Sequence, residues 1–391
     1  LLVFAIPNTI FVSAVVFSVA ALTRSTVTSF LGSLLLLVAY GVAETLTEDI
    51  ANEKIAMLLD PFGIRTFSVM TKYWTVAERN NMALGWEGYM LWNRLIWLGV
   101  AGLLMAFTYW RFSFAERTQK GKAAAEVENT AVRSTTMPEI TYRSGFAADV
   151  QQLFGLASFE FWGLIKTTSF IVLSVAAILN SVPSLLLAAN EGYGNSSLPV
   201  TYWIVTIIQG SLYIFTISMI TYYAGVLIWK ERDARMDEIA DVAPYRSWVS
   251  FGAKMISLIG VVALLQALMM LVGIGVQASQ GYARYQIGLY LQELFIYDFS
   301  FFVFLAVLAF LIHVLAPNKY MGYFAFIGFL VVNAFIWRPL NVATRLFRYG
   351  SRPDMSYSDL FEYAPYLNGW WWFTLYWTLF ALLLATITIA I

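Results

Sequence analysis

The chain has 391 residues, of which 60% are apolar and only 12% charged, and its formal net charge is zero. Soluble domains are about 45–50% apolar and about 25% charged, so this composition predicts an integral membrane protein and gives no indication of nucleic-acid binding. The lack of cysteine excludes disulfides and thiolate metal sites. The single histidine, His313, leaves no multi-histidine site, so we expect no metal or cofactor in this chain.

A helix that crosses a bilayer needs about 20 mostly apolar residues. Nine runs in this chain approach or exceed that length. They cover residues 3–22, 27–43, 93–110, 164–188, 203–229, 254–277, 294–316, 320–337 and 371–391. We therefore predict an all-α integral membrane protein, a polytopic helical bundle. Basic residues are concentrated in residues 110–155 and 230–246, which the positive-inside rule assigns to the cytoplasm. By alternation, residues 44–92 and 338–370 lie outside.

The spans divide into two transmembrane halves. Residues 1–111 would form the last three spans of one half, and residues 159–391 would form six spans of the other. Residues 112–158 would be a cytoplasmic linker that ends in an amphipathic helix, or simply more linker. In each half a hairpin of spans precedes a charged, aromatic outside segment, as in parallel repeats of transporters, although hydrophobic hairpins also resemble one another by composition. We expect the chain to be part of a longer polypeptide, because it begins abruptly on an apolar run.

Residues 230–246 form the only strongly charged, helix-patterned segment between two spans. Met236, Ile239 and Ala243 recur at helical spacing, which predicts a short amphipathic helix ending at Pro244. Such a helix is either solvated loop structure or the contact for a soluble partner. The contact residues in the second case would be Glu231, Arg232, Arg235, Met236, Asp237, Glu238 and Ile239.

Two outside segments are candidates for an external gate. Residues 60–63, Asp-Pro-Phe-Gly, read as a turn, and Thr75 with Glu78 reads as a capping box that opens a helix. An interfacial lid that only anchors the spans is the alternative. The gate candidates are Asp60, Pro61, Phe62, Gly63, Tyr73, Trp74, Glu78, Arg79, Arg345 and Arg348.

Ionisable residues inside spans are costly, and they indicate function by default. Asp298, about one turn from the outer face, is the strongest candidate, and Gln209 and Asn333 are further polar positions inside spans. Hydrogen bonding between helices is their ordinary role. The chain has no G-x-x-x-x-G-K-[ST] loop and no H-E-x-x-H motif, so we expect no catalysis by this chain.

Several stretches resemble an ABC-2-type transporter permease, in particular the bacterial branch fused to an M1-family aminopeptidase. They are residues 20–25 (AALTRS), 58–63 (LLDPFG), 73–75 (YWT), 78–80 (ERN), 93–95 (NRL) and 231–238 (ERDARMDE) ahead of Lys254. The resemblance implies six spans per half, the first three of which are missing here. It also implies that the 230–246 helix docks on a separate ATP-binding subunit, in two copies. Zinc would enter only with an attached peptidase domain, which lies outside this sequence.

The expected function is the permease subunit of an ATP-driven exporter in the bacterial inner membrane. Its cargo would be peptides or amphipathic, lipid-like molecules, since the path is apolar and aromatic. ATP and Mg²⁺ would be bound by the partner subunit. A non-transporting scaffold or anchor for the fused aminopeptidase is the alternative, and an ion-coupled transporter ranks last because it would need more carboxylates inside the spans.

Overall fold

A computed structural model describes residues 2–23, 32, 36, 53–82, 85–112, 145–188, 198–236, 238, 246–337, 339–342 and 344–391. These residues are helical apart from turns and loops, and their only β-type pairing is an isolated bridge between Ser358 and Glu362. The helices are α1 (Ala5–Thr23), α2 (Glu53–Leu59), α3 (Ile64–Met70), α4 (Val76–Asn81), α5 (Gly88–Arg111), α6 (Phe146–Ile165), α7 (Thr168–Ala188), α8 (Thr201–Asp233), α9 (Ser247–Ser279), α10 (Ile287–Leu315), α11 (Lys319–Phe335) and α12 (Ala364–Ala390).

Seven of these helices are long and apolar enough to cross a membrane, namely α1, α5, α7, α8, α9, α10 and α12. Each coincides with a predicted span. The predicted span 320–337 falls on α11, which has only 17 residues, and the predicted span 27–43 lies outside the described residues. The protein is therefore a multi-pass helical membrane protein, while the total of nine spans and the repeat relationship stay predictions.

The helices expose large apolar side chains in a way that suits lipid. On α12, Trp371, Trp372 and Leu379 are each about 60% exposed or more, at 62%, 66% and 60%. A soluble protein seldom leaves so many large apolar groups in one patch. The exposed face of α12 is thus the expected lipid-facing side of a spanning helix.

Residues 1–148 form one compact unit, in which α1 packs along α5. Phe11 and Ala14 of α1 are buried against Ala101 of α5, with Trp97 packed beside them. The short helices α2 and α3 lie against each other and against α5. The segment after α2 is thereby fixed to a spanning helix.

Residues 149–391 form the second unit, and α8 is its central helix. It packs against α7, α9, α10 and α11, and most residues from Phe215 to Trp229 are buried. At Gly225 a Cβ atom would lie 2.3 Å from the Tyr323 ring of α11, so glycine is what permits this close crossing. The core of the unit is built around α8 and the apolar second half of α10.

The predicted amphipathic helix over 230–246 does not start at residue 230. Residues 230–233 are the last turn of α8, which then ends because Arg235 adopts a left-handed conformation with φ 53°. The Met236 amide donates to the Glu231 carbonyl at 2.9 Å and the Arg235 amide to the Arg232 carbonyl at 3.0 Å, which is the paired hydrogen bonding of a Schellman helix end. Residues 237 and 239–245 lie outside the described part of the chain.

Candidate functional site

A polar cavity of about 340 Å³ lies in the second unit, where α8, α10, α12 and the segment before α12 meet. Gln209 comes from α8 and Trp370 from the first turns of α12. The complete lining consists of Gln209, Glu293, Tyr297, Asp298, Phe301, Gly350, Ser351, Arg352, Pro353, Met355, Tyr363 and Trp370. Two of the in-membrane candidates, Asp298 and Gln209, thus meet in one site.

A π-helical stretch of α10, Leu291–Asp298, supplies both carboxylates of the cavity. Hydrogen bonds in a π-helix run between residues five apart, which brings Glu293 and Asp298 towards the same side. At 3.6 residues per turn, residues five apart would point to largely different sides. Such stretches are frequent at functional sites, and here the widened turn aligns two acidic side chains.

The acidic side chains have unequal partners. Glu293 is 9% exposed, and its Oε2 accepts a hydrogen bond of 2.9 Å from Gln209 Nε2. Asp298 interacts electrostatically with Arg352. Burial lowers the pKa of Arg352 to about 10, and the Asp298 carboxylate opposes that shift. Arg352 is therefore a cation at neutral pH, and its charge interacts with that of Asp298.

The arginine is held by neighbours on three sides. Its Nη1 donates to Ser300 Oγ at 2.6 Å, and its guanidinium carbon lies 5.6 Å from the centre of the Trp370 ring. Arg345 Nη1 donates to the Arg352 carbonyl at 2.6 Å. The wall that carries Arg352 is consequently pinned to α10, to α12 and to its own segment.

The segment before α12 is braced by further contacts. Arg345 pairs with both carboxylate oxygens of Asp354, and this hydrogen-bonded pairing lowers the pKa of Asp354 below its ordinary value. Tyr349 donates to the Phe304 carbonyl at 2.7 Å, and Trp377 donates to the Ser351 carbonyl at 2.8 Å. Of the gate candidates here, Arg345 is thus a brace of the cavity wall, while Arg348 is exposed.

In the first unit, the predicted turn 60–63 is part of a dense polar network. Asp60 accepts from the amides of Phe62 and Arg65 at 2.9 and 2.6 Å. Asn93 of α5 donates to the carbonyls of Met57 and Asp60, both at 2.7 Å. The turn therefore ends α2 and fixes it to α5 through side chains that replace the missing helical hydrogen bonds.

Arg94 is the most enclosed charged side chain among the described residues of this unit. It is 1% exposed, and its Nη1 donates to Asn8 Oδ1 at 2.7 Å. Its Nη2 lies 1.6 Å from the place that a Cβ atom on Gly63 would occupy, and Gly63 has φ 75°. Glycine is therefore required at position 63 for two reasons: the backbone there is left-handed, and the guanidinium beside it leaves no room for a side chain.

The predicted capping box is confirmed. Thr75 Oγ1 accepts from the Glu78 amide at 3.3 Å, and Glu78 Oε2 accepts from the Thr75 amide at 2.7 Å. The same hydrogen bonding lowers the pKa of Glu78 below its ordinary value of 4.5. Tyr73 and Arg79 beside it are exposed, and Trp74 is half-buried.

The C-terminal end of α8 contains the first residues of the predicted contact with a partner, and ion pairs join this end to three other helices. Lys230 pairs with Glu160 of α6 at 2.8 Å, Glu231 with Lys254 of α9 at 2.6 Å, and Asp233 with Lys319 of α11 at 2.7 Å.

The other predicted contact residues at this end differ from Glu231. Arg232, Arg235, Met236 and Glu238 are exposed, and Asp237 and Ile239 lie outside the described residues. Glu231 is thus engaged within the chain.

Not every residue of the cavity was predicted from the sequence as a site residue. Glu293 was not counted as a residue inside a span, because the apolar run begins at residue 294, yet α10 begins at Ile287. Its spacing of five from Asp298 was the available signal. Asn333, by contrast, accepts a hydrogen bond of 3.2 Å from Trp337, just after the end of its helix, and is no part of the cavity.

The described residues contain no group of three or more His, Cys, Asp or Glu that could hold a metal ion. Comparison with protein-family models, with curated proteins and with solved structures gave no match to this chain. The resemblance to ABC-2 permeases therefore stays a prediction.

Proposed function

We propose that the chain is the transmembrane permease subunit of an ATP-driven exporter in the bacterial cytoplasmic membrane. Its cargo would be a peptide or an amphipathic, lipid-like molecule, and a separate ATP-binding subunit would dock on residues 230–246. The seven apolar helices and the polar cavity support a passage for cargo, and the exposed charged end of α8 supports a docking partner.

The observation that carries the proposal is the continuity of α8. One unbroken helix of 33 residues contains Gln209 at the cavity and Glu231 at the ion-paired end. At 1.5 Å per residue these two positions are roughly 33 Å apart. A displacement of the charged end would therefore be transmitted along a stiff helix to Gln209, and through it to Glu293.

The ion pairs extend this transmission to other helices. Because the α8 end is paired with α6, α9 and α11, a partner that moves it would move a group of helices together. Transport by alternating access needs such concerted motion of packed helices. Arg232 and Arg235 remain exposed at the same end, where an acidic partner surface would meet them.

The test is co-purification in mild detergent followed by an ATPase assay. We expect an ATP-binding subunit to be recovered in stoichiometric amount, and to be lost with the double variant Arg232→Glu/Arg235→Glu. Arg284→Glu is the matched control, because Arg284 is equally basic and exposed but lies between α9 and α10. Recovery of the chain alone, without ATPase activity, would instead favour a membrane scaffold, such as an anchor for a fused M1 aminopeptidase.

A further inference from the structure

The cavity has one carboxylate without a counter-charge. Neither Asp298 nor Glu293 belongs to an ion pair formed by the described residues. Asp298 nevertheless interacts electrostatically with Arg352, whereas the identified partner of Glu293 is the neutral Gln209 amide. A buried carboxyl group ionises only at a cost unless a cation accompanies it. Glu293 is therefore a position where a cationic group from outside the chain would be stabilised.

The rest of the lining suits an organic cation better than a metal ion. The rings of Tyr297, Phe301, Tyr363 and Trp370 surround the carboxylates. Aromatic faces attract ammonium groups and also pack against apolar bodies. A metal ion would instead need several oxygen ligands in a compact shell, whereas one carboxylate here already interacts electrostatically with Arg352.

Trp370 adds a second, independent requirement. Its ring is 3% exposed, it lines the cavity, and its Nε1–H has no acceptor among the described residues. Tryptophan is a donor only, and a buried indole N–H usually has a partner. A ligand of this cavity should therefore carry a hydrogen-bond acceptor as well as a positive charge.

We propose that the cavity binds the free amino terminus of a peptide or of an amino-acid amide. Its ammonium group would lie at Glu293, the first carbonyl oxygen would accept from Trp370 Nε1, and the first side chain would pack against the aromatic rings. Ligand pockets run from about 300 to 1,000 Å³, so a cavity of about 340 Å³ would take one terminal residue and leave the remaining peptide outside. That such a ligand is cargo rests on the proposed transport function, whereas binding itself does not.

The experiment is a set of calorimetric titrations of the purified full chain with three small probes. Phenylalaninamide has both the ammonium group and the carbonyl, phenethylammonium lacks the carbonyl, and N-acetylphenylalaninamide lacks the charge. We expect phenylalaninamide to bind with one site per chain and phenethylammonium several-fold more weakly. N-acetylphenylalaninamide should be weaker by at least tenfold, because loss of one partner of a buried charge pair strongly reduces affinity.

Variants assign each contact. Glu293→Gln should weaken phenylalaninamide binding at least tenfold, and Trp370→Phe should make phenylalaninamide and phenethylammonium bind alike. Asp359→Asn is the matched control, because it removes a carboxylate from an exposed residue of the segment before α12 that does not line the cavity. If Glu293→Gln does not fold, Trp370→Phe keeps the proposal testable.

Equal binding of the charged and the acetylated probe would overturn the proposal, as would unchanged binding by Glu293→Gln. A preference for phenylpropionate, which has a carboxylate and no ammonium, would also overturn it. None of these titrations requires an ATPase. Binding without a co-purifying ATPase would thus contradict the proposed function alone, and a co-purifying ATPase without amine binding would contradict this inference alone.

Discussion

Single residues in this protein show how the chain accommodates buried charge. Arg94 is enclosed at 1% exposure, and glycine at position 63 leaves the space that its guanidinium occupies. Arg352 lies against the Trp370 ring and interacts electrostatically with Asp298. Among the contacts described above, the partner of Glu293 is the neutral side-chain amide of Gln209. Arg94 also has a neutral hydrogen-bond partner, Asn8, so Glu293 is distinguished by its place in the cavity.

We expect Gly63→Ala to lower the melting temperature of the full chain through two separable effects. The left-handed backbone costs an alanine about 1–2 kcal/mol, and the new Cβ would also collide with Arg94 Nη2. In an Arg94→Ala background only the backbone cost remains. The double variant should therefore be less destabilised than the sum of the single variants, by about 1–3 kcal/mol.

Gly88→Ala is the matched control for this prediction. Gly88 also has a left-handed backbone, with φ 52°, but its nearest neighbour would be Met70 Cε at 3.8 Å. It should show the backbone cost alone and no coupling to Arg94→Ala. Strict additivity of Gly63→Ala and Arg94→Ala would show that the two residues do not compete for the same space.

At the scale of the secondary-structure element, helix boundaries that depend on local interactions could be predicted from the sequence. The α4 start follows from Thr75 and Glu78, three residues apart, and it is present with both hydrogen bonds. The predicted start of a separate helix at residue 230 was wrong. Residues 230–233 continue α8, because their ion-pair partners Glu160, Lys254 and Lys319 come from three other helices. Those partners are distant in sequence, so no local pattern could reveal them.

The same distinction explains the candidate site. Asp298 and Gln209 were singled out because a polar residue inside an apolar run is visible locally. Glu293 and Arg352 were missed, because their place in the cavity depends on the π-helical stretch and on the segment before α12. Trp370 was expected in an outside segment but lies in α12, which begins at Ala364.

The ion pair between Glu231 and Lys254 should stabilise the end of α8 measurably. Lys254 is only 13% exposed at its side chain, so water screens the pair less than a surface pair. Lys254→Glu would set two carboxylates against each other, and we expect it to destabilise the chain by about 2 kcal/mol. The exchanged pair Glu231→Lys/Lys254→Glu should recover most of that loss in the melting temperature.

The exposed pair Lys72–Glu53 provides the control, since both side chains are about half exposed, at 51% and 55%. Surface pairs contribute little to stability because water screens them, so Lys72→Glu should change the melting temperature little. If Lys254→Glu were equally mild, the α8 end would be held by its backbone packing and not by this pair.

At the scale of the whole molecule, the chain consists of two compact units, residues 1–148 and 149–391. The division falls within residues 112–158, the stretch predicted to be a linker. Every residue that lines the cavity belongs to the second unit, and so do the ion pairs at the α8 end. The proposed ligand site and the proposed docking end are therefore both products of one unit.

This division predicts that residues 145–391, produced alone in the same detergent, fold and bind phenylalaninamide with an affinity within about twofold of the full chain. The physical reason is that the cavity wall is braced internally: Arg345 and Trp377 hold the segment that carries Arg352, and Gln209 holds Glu293. Calorimetric titration and a cooperative thermal transition are the measurements. Glu293→Gln in the same fragment should abolish the difference between phenylalaninamide and its acetylated form. A fragment that melts cooperatively yet binds more than tenfold more weakly than the full chain would show that residues 1–144 contribute to the site.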